Sequence, residues 1–382
     1  MIFTLEHKDE FSSARSGSLK TSHGEIKTPI FMPVGTRAAV KTLTPRVVNE
    51  LGAQIILGNT YHLLTRPGPD IVEKAGGLHK FMMWHKPILT DSGGFQVYSL
   101  GDLRKISDRG VEFRSHIDGA KHFLGPEESM EIQQKLGSDI AMVFDECPPS
   151  MAKPEVIAKA VDRTLRWAKE CYESNQKFND KGNNQLLFGI VQGGTLDEFR
   201  LNCIEELKKI PFPGFAIGGL AVGEKPEEMY RVTELCCNNL PEDKPRYLMG
   251  VGKPEDIVES IKRGVDMFDC VMPTRNARNG SAFTDKGMVQ VKAGRYKEDF
   301  TPIQDGCECY TCRTFTKAYV RHLLNVGESL GGQLLTIHNI HYYLKLTSDI
   351  RKAIEEDKFL EFEKEFYKKR SNKLNHVLKE KN

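Results

Sequence analysis

The chain has 382 residues, of which 39% are hydrophobic and 28% are charged, a composition typical of a globular protein and not of a disordered one. No apolar run approaches the ~20 residues that a membrane-spanning helix needs, and the N-terminus lacks the basic start and apolar core of a signal peptide. The net charge of +2 neither requires nor excludes nucleic acid, and the nine cysteines, an odd number, predict a cytoplasmic protein without a disulfide framework.

Eight short apolar segments follow one another along the chain, and helical patterns join most of them. Their residues form nearly continuous apolar runs, which is typical of parallel strands buried on both faces. The eight predicted strands cover residues 29–34, 53–60, 87–94, 140–146, 186–194, 214–220, 247–252 and 267–272. Eight strands, most of them joined by helices, predict an α/β protein folded as a (β/α)8 TIM barrel with insertions. The alternative is a doubly wound open sheet, but its usual glycine fingerprint does not follow the first strand.

Three cysteines cluster in the motif Cys307-x-Cys309-x2-Cys312, and His338 follows after twenty-five residues. Three thiolates and one imidazole form a tetrahedral Cys3His zinc set. Four protein ligands leave no open coordination position, so we expect one structural Zn2+ and not a catalytic one. A group of free thiols is the alternative without metal, and other possible fourth ligands are His341 and His322.

Other segments lie outside the repeated strand–helix units. Residues 98–122 alternate in strand fashion and predict an inserted hairpin. We expect residues 1–282, with the C-terminal helices, to form the barrel and residues 283–345 to form a C-terminal zinc-binding subdomain. Residues 346–382 have the pattern of a charged amphipathic helix or two, and we expect this tail to pack on the barrel.

In a (β/α)8 barrel the catalytic groups lie at the carboxyl ends of the strands. Carboxylates, an amide and glycines occupy those positions here, namely Asp91, Asp145, Gln192, Gly218, Gly219, Met249 and Asp269. Two carboxylates across a sugar permit covalent glycosyl chemistry, because one attacks the anomeric carbon while the other moves a proton. Asp, Gln and backbone groups together match the donor and acceptor edge of a guanine-like base. Any one of these acids also fits a helix or turn cap, but caps do not account for all of them at one face.

The segment 267–281 joins the last predicted strand to a basic stretch. Asp269 stands inside an apolar run, where a charged carboxylate is costly unless it is paired or used. Pro273 ends the run, and Arg275 and Arg278 follow in a segment rich in Asn and Gly, which we expect to be a loop. An acid beside two arginines indicates a nucleophile or proton carrier next to an anion site. The alternative is an Asp that caps a turn and pairs with an arginine.

Several motifs are specific enough to indicate a family. They are Asp91-Ser92-Gly93-Gly94-Phe95-Gln96, Phe144-Asp145-Glu146-Cys147-Pro148, Gly189-Ile190-Val191-Gln192-Gly193-Gly194, Gly218-Gly219-Leu220-Ala221-Val222-Gly223-Glu224, Asp269-Cys270-Val271-Met272-Pro273-Thr274-Arg275 and the Cys3His set. Together they closely resemble the tRNA-guanine transglycosylases of the bacterial type, in the queuine tRNA-ribosyltransferase family, over nearly the whole chain. This resemblance implies a zinc-bearing (β/α) barrel that exchanges the wobble guanine of tRNA anticodons for a 7-deazaguanine.

The resemblance also implies roles for individual residues. Asp269 would be the nucleophile that attacks the ribose and expels guanine, and Asp91 would move the proton during base exchange. The residues that would bind the base are Asp91, Phe95, Asp145, Gln192, Gly219 and Met249, with Phe95 and Met249 against its two faces. Arg275 and Arg278 would contact the tRNA anticodon. The zinc ligands would be Cys307, Cys309, Cys312 and His338, which favours His338 over His341.

Smaller features of the resemblance indicate substrates and partners. The segment 220–223 and Cys147 look bacterial, which implies 7-aminomethyl-7-deazaguanine as the incoming base and queuosine biosynthesis as the pathway. The family prefers a U-G-U anticodon context, so the expected tRNAs are those with G-U-N anticodons, for Asp, Asn, His and Tyr. We expect a cytoplasmic homodimer that binds tRNA and the free base, with no nucleotide cofactor and no membrane.

Two alternatives predict different activities. A (β/α)-barrel glycoside hydrolase accounts for the paired carboxylates but not for the zinc set or the two arginines, and it would act on free sugars. A non-catalytic tRNA-binding paralogue would be expected to lack the acids at positions 91 and 269, and both acids are present.

Overall fold

The structure is a computed structural model that describes residues 2–98, 104–115, 117–180, 182 and 184–379, with side chains described as far as residue 371. The strands in chain order are β1 (Phe3–Lys8), β2 (Arg15–Thr21), β3 (Gly24–Thr28), β4 (Ile30–Gly35), β5 (Ile56–Gly58), β6 (Ile88–Thr90), β7 (Arg104–Ser107), β8 (Gly110–Arg114), β9 (Lys121–Leu124), β10 (Ile140–Met142), β11 (Leu186–Val191), β12 (Gly214–Ile217), β13 (Arg246–Leu248), β14 (Met267–Cys270), β15 (Ser281–Thr284) and β16 (Gly287–Gln290). The helices are α1 (Pro45–Glu50), α2 (Thr60–Thr65), α3 (Pro69–Lys74), α4 (Gly77–Met82), α5 (Gly94–Tyr98), α6 (Pro126–Leu136), α7 (Pro154–Asn179), α8 (Asp197–Lys208), α9 (Pro226–Asn239), α10 (Pro254–Lys262), α11 (Met272–Arg278), α12 (Tyr310–Thr314), α13 (Lys317–Asn325), α14 (Ser329–Glu355) and α15 (Phe359–Lys379).

Eight parallel strands close into a barrel in the order β4, β5, β6, β10, β11, β12, β13 and β14, and β14 pairs with β4 to complete the ring. All residues of these strands are buried except Leu186 and Asp269. Strands covered on both faces need apolar side chains throughout, which explains the nearly continuous apolar runs. The predicted (β/α)8 TIM barrel is therefore confirmed, and the open-sheet alternative is wrong.

The N-terminal strands β1, β2 and β3 form an antiparallel sheet that lies against the amino ends of the barrel strands. Arg15 at the start of β2 pairs with Asp266, which immediately precedes β14. His23, in the turn after β2, contacts Asp139, which immediately precedes β10. The sheet therefore closes the end of the barrel that lies opposite the carboxyl ends of the strands.

The insertion between β6 and β10 is larger than the predicted hairpin. Strands β7, β8 and β9 form a three-stranded antiparallel sheet, because residues 121–124 return to pair with β8. Phe113 and Leu124 bury its inner face. Residues 99–103 and 116, which belong to the predicted hairpin segment, lie outside the described residues.

The C-terminal part of the chain packs around α14. The hairpin of β15 and β16 and the helices α12 and α13 surround its first half, and a second buried cluster forms between them. The expected boundary at 282/283 falls within β15, and the one at 345/346 falls within the continuous helix α14. Helix α15 joins the barrel through Arg370 to Glu255 and Tyr367 to Glu259 on α10. Within the described residues, no helix combines the length and apolar character required to cross a bilayer.

Candidate active site and metal centre

Asp91 directly follows barrel strand β6 and is only 8% exposed. Its carboxylate accepts hydrogen bonds from Asn59 Nδ2 at 2.5 Å, from the Thr60 N–H at 2.8 Å and from Gln96 Nε2 at 3.1 Å. These three donors are uncharged, so they do not supply the positive charge that would favour an ionised carboxylate. Burial, together with the nearby charge of Asp269, raises the pKa of Asp91 to about 7 against the opposing hydrogen bond from Thr60.

Asp145 lies just beyond the end of β10 and contacts the ends of the two neighbouring strands. Its Oδ2 accepts a hydrogen bond from Gln192 Nε2 at 2.7 Å, and its Oδ1 accepts one from Ser92 Oγ at 3.2 Å. Burial raises the pKa of Asp145 to about 6 despite both hydrogen bonds. Glycine is required at position 94, because a Cβ there would lie 2.7 Å from the carbonyl oxygen of Asp145. Since Ser92 directly follows Asp91, these contacts join the ends of β6, β10 and β11.

Gln192 and Gly219 form one wall of the site, which we call the amide wall. Gln192 directly follows β11, is 1% exposed, and its Oε1 has no hydrogen-bond partner among the described residues. Gly219 has a φ of +67°, and a Cβ at this position would lie 2.4 Å from Gln192 Oε1, so only glycine fits. The Gln192 side chain and the Gly219 N–H both face the Cys147 thiol, whose pKa burial raises to about 12 against their hydrogen bonds. The amide wall therefore offers donors and acceptors to the polar edge of a ligand.

Asp269 is the one residue of β14 that is not fully buried. Tyr247 Oη donates to its Oδ1 at 2.6 Å, and the Gly250 N–H donates to the same oxygen at 2.7 Å. Burial raises the pKa of Asp269, although these two hydrogen bonds oppose the shift. Burial and the charge of Asp269 raise the pKa of Tyr247 well above its usual range, so the phenol remains a donor. The repulsion between Asp91 and Asp269 favours a proton on Asp91 while Asp269 is ionised.

The remaining predicted ligand-binding residues lie at the same end of the barrel. Phe95 is on α5 and is 49% exposed, and the partly buried Met249 directly follows β13. Arg275 and Arg278 are exposed on α11, which begins immediately after β14. The predicted loop at this point is wrong, because Pro273 lies in the first turn of α11, where its missing N–H costs no helical hydrogen bond.

The Sγ atoms of three cysteines surround Nδ1 of His338, at 3.7 Å for Cys307, 3.6 Å for Cys309 and 3.3 Å for Cys312. Ordinary Zn–S and Zn–N bonds in a tetrahedral site separate S and N by about 3.6 Å. A proton on His338 Nε2, donated to the Phe283 carbonyl oxygen at 2.8 Å, leaves Nδ1 with a free lone pair. The donor set therefore fits a tetrahedral ion with four protein ligands. The group of four does not include the alternative ligands His341 and His322.

Several residues of the site were not predicted from sequence, namely Asn59, Thr60, Tyr247, Gly250 and Arg200. Asn59 and Thr60 end the second predicted strand, and this position at the carboxyl end of a barrel strand could have indicated that they belong to the site. Tyr247 precedes Met249 by two residues, and alternation along a strand places both on one face. Arg200 lies on the buried side of α8, and nothing in the sequence pattern indicates which groups it contacts.

Comparison with known proteins identifies the family. A sequence model described as Queuine tRNA-ribosyltransferase matches residues 9–372 of the chain. Relatives with this name include one from Thermoanaerobacter pseudethanolicus, 54% identical over 367 residues that make up 96% of this chain and 97% of the relative. The relative from Moorella thermoacetica is 55% identical over 369 residues, 97% of this chain and 98% of its own length. The one from Halothermothrix orenii is 53% identical over 371 residues, again 97% and 98%.

These matches extend through the barrel, the insertion and the cysteine cluster. They confirm the resemblance that the sequence motifs indicated. The chain therefore belongs to the queuine tRNA-ribosyltransferase family, whose members are tRNA-guanine transglycosylases and thus pentosyltransferases.

Proposed function

We propose that this chain exchanges the wobble guanine of tRNA for 7-aminomethyl-7-deazaguanine, through a covalent ribosyl-enzyme intermediate, in queuosine biosynthesis. The substrates are tRNAs with G-U-N anticodons, for Asp, Asn, His and Tyr. The observation that carries this proposal is the pair Asp91 and Asp269, two carboxylates with raised pKa at one mouth of the barrel, where the charge of Asp269 helps to raise the pKa of Asp91. Such a pair is what a two-step glycosyl transfer requires.

In the first step the ionised carboxylate of Asp269 attacks C1′ of the ribose. A C–O bond forms, and the bond from C1′ to N9 of guanine breaks, so the electron pair leaves with the base. Asp91, which holds a proton up to a pH of about 7, supplies the proton that the departing guanine takes up. Tyr247 and Gly250 hold Oδ1 of Asp269 so that its carboxylate keeps one orientation during the attack.

In the second step the incoming base attacks C1′ and releases Asp269. The ionised Asp91 takes the proton from the attacking nitrogen and returns to its starting state. Two inversions at C1′ give net retention, and no free oxocarbenium ion meets water. One glycosidic bond replaces another, so the reaction needs no nucleotide cofactor.

The base must leave its stack in the anticodon loop to reach the barrel mouth. Asp145 accepts hydrogen bonds from the ring N–H and the exocyclic amine, and the amide wall of Gln192 and Gly219 meets the carbonyl. Gln192 Nε2 uses one N–H on Asp145 and has a second N–H to donate to the carbonyl, and the narrow approach at Gly219 also supports this assignment. Phe95 and Met249 cover the two faces of the ring.

The exposed arginines Arg275 and Arg278 contact the anticodon region of tRNA. Lys41 and Arg37 add positive charge near Arg278. Their proximity is evident from the pKa of Lys41, which burial and the charges of Arg278 and Arg37 lower. Such a group of cations favours phosphate binding and steers the tRNA toward the mouth of the barrel.

One Zn2+ is held by Cys307, Cys309, Cys312 and His338 and has a structural role. The ion, when bound, ties α12 to α14 and supplies no chemistry to the exchange, since its four ligands come from the protein. We expect metal analysis to find about one zinc per chain. Cys309→Ser should lose both the metal and thermal stability, and retention of one zinc by this variant would contradict the assignment.

The active form is a homodimer in the cytoplasm. The aromatic cluster of Tyr310, Phe315 and Tyr319 supports association, because Tyr310 is 53% and Tyr319 is 40% exposed, and the half-buried Phe315 stacks on Tyr319 with ring centroids 5.4 Å apart. The nine free cysteines, three of them zinc-ligand candidates, support a reducing compartment.

Exchange of radiolabelled guanine into tRNA tests the proposal on the wild type and on Asp269→Asn. The wild type should incorporate guanine, whereas the variant should bind tRNA without exchanging the base. Near-normal exchange by the variant would exclude Asp269 as the nucleophile. A wild type that releases guanine without incorporating any would be a hydrolase, and one that only binds tRNA would be a non-catalytic paralogue.

A further inference from the structure

Arg200 projects from α8 and is completely buried behind the amide wall. Its Nε donates to the Gly194 carbonyl at 2.8 Å, and its Nη1 donates to the carbonyls of Val191 and Gly218, both at 2.8 Å. Its Nη2 reaches the Gly219 carbonyl at 3.5 Å. One guanidinium therefore fastens the carboxyl ends of two adjacent barrel strands, β11 and β12.

No carboxylate lies within ion-pair distance of Arg200 in the part of the chain that the structure describes. This arrangement differs from that of Arg15, a second fully buried arginine, which pairs with Asp266. A buried charge without a counter-charge costs folding free energy, and an apolar residue of similar volume often serves stability better. The contacts of Arg200 are therefore better explained by what they do to the adjoining site.

The carbonyl of Gly218 belongs to the same planar peptide unit as the N–H of Gly219. Because the carbonyl points at Arg200, the N–H must point away from the guanidinium, and it faces the thiol of Cys147, two residues beyond Asp145. Hydrogen bonds in a chain polarise one another, so a cation on the carbonyl strengthens the N–H as a donor. Arg200 thus acts through a single peptide unit on the Gly219 N–H.

We propose that Arg200 is a positioning residue that orients and polarises the Gly219 N–H toward the carbonyl group of the exchanged base. This inference rests on the proposed base exchange and names the determinant that distinguishes a 6-oxo purine from one without that oxygen. As guanine departs, negative charge spreads over its ring and carbonyl oxygen, and a polarised donor stabilises that charge.

Competition by free bases during guanine exchange tests the inference. The two competitors are unlabelled guanine and 2-aminopurine, which lacks the 6-carbonyl. Arg200→Met should raise the inhibition constant of guanine about tenfold, as expected for a lost polarised hydrogen bond. The inhibition constant of 2-aminopurine should stay nearly unchanged. The KM for tRNA should change by less than about twofold, since Arg200 is fully buried and cannot contact a phosphate. The inhibition constant of 2-aminopurine divided by that of guanine should therefore fall about tenfold.

Arg246→Met is the matched control. Arg246 is also buried and donates to two backbone carbonyls, those of Gly264 and Leu240, but it lies at the opposite end of the barrel. This variant should lower the melting temperature without changing the ratio of inhibition constants. Arg200→Lys keeps the charge without the planar fork, so it should lower the ratio of inhibition constants less than Arg200→Met does. It also provides the test if Arg200→Met folds poorly.

An unchanged ratio in folded Arg200→Met or Arg200→Lys would overturn the inference, and so would an equal loss of affinity for both bases. Either result would reduce Arg200 to a structural role while wild-type exchange still supported the proposed function. A wild type that incorporates no guanine would instead overturn the proposed function, and the inference would fall with it.

Discussion

The two ends of the barrel contain buried carboxylates with opposite surroundings. At the amino ends of the strands, cationic or potentially cationic side chains meet the acids. Asp266 accepts hydrogen bonds from Arg15 Nε at 3.0 Å and Nη2 at 2.5 Å. Asp139 contacts His23 Nδ1 at 2.8 Å and His79 Nε2 at 3.1 Å, and the two rings stack with centroids 3.6 Å apart.

At the carboxyl ends, the described hydrogen bonds to Asp91, Asp145 and Asp269 come from amides, hydroxyls and backbone N–H groups. Burial raises the pKa of all three acids. For Asp139, burial also acts to raise the pKa, but hydrogen bonds from His79, Ile88 and His23 outweigh it and lower the pKa. The same residue type therefore stabilises the fold at one end and is available for proton transfer and nucleophilic attack at the other.

The strongest contrast is between two acids three residues apart in the sequence, Asp266 just before β14 and Asp269 within it. Asp269→Asn should lower base exchange by about a thousandfold or more, because an amide is a poor nucleophile, while the fold remains intact. Asp266→Asn should lower the free energy of unfolding by about 3–5 kcal/mol, because it leaves the Arg15 guanidinium buried without its partner. Exchange kinetics and denaturant unfolding on both variants measure the contrast. A loss of catalysis by fully folded Asp266→Asn would break it.

The pH dependence of stability sharpens the comparison. The folded pKa of Asp91 lies at about 7, well above that of an unfolded aspartate, so the folded state binds this proton more tightly. Stability from this group is present at low pH and is lost as pH rises from about 4 to about 7, by up to about 4 kcal/mol. Asp91→Asn removes the titrating carboxyl and should make that part of the wild-type curve in urea unfolding less steep. An unchanged slope would show that Asp91 titrates normally.

The smallest effect is expected at the amino end, on the solvent side of the histidine pair. His23→Gln should cost about 1 kcal/mol of unfolding free energy, the usual contribution of one hydrogen bond, since the His23 ring is 41% exposed. Guanine exchange should not change. A large loss of exchange in this variant would mean that the amino end is coupled to the active site after all.

The barrel and the positions of its acids were predictable because both depend on local patterns. A strand buried on two faces must be apolar, and the residue after it must lie at the mouth, so Asp91 and Gln192 followed from their place after a strand. The cysteine spacing likewise indicates three of the metal ligands. It does not select the histidine, and the choice of His338 came from the family resemblance.

The partners of those acids were not predictable, because each depends on contacts between distant parts of the chain. Asn59 reaches Asp91 across thirty-two residues, and Tyr247 reaches Asp269 across twenty-two. Helix α11 was missed because Pro273 is as compatible with the first turn of a helix as with the end of a strand. Such choices are decided by tertiary packing and not by the local sequence.

The two hydrogen bonds to Asp269 have a stereochemical consequence. Both end on Oδ1, so the two oxygens of the carboxylate are not equivalent. In the proposed reaction, Oδ2 keeps its lone pairs and becomes the ester oxygen, whereas Oδ1 becomes the carbonyl oxygen of the aspartyl ester. Tyr247 and Gly250 then face that carbonyl and favour the return of negative charge when the new base displaces the ribose. One pair of donors thereby orients the nucleophile in the first half-reaction and improves the leaving group in the second.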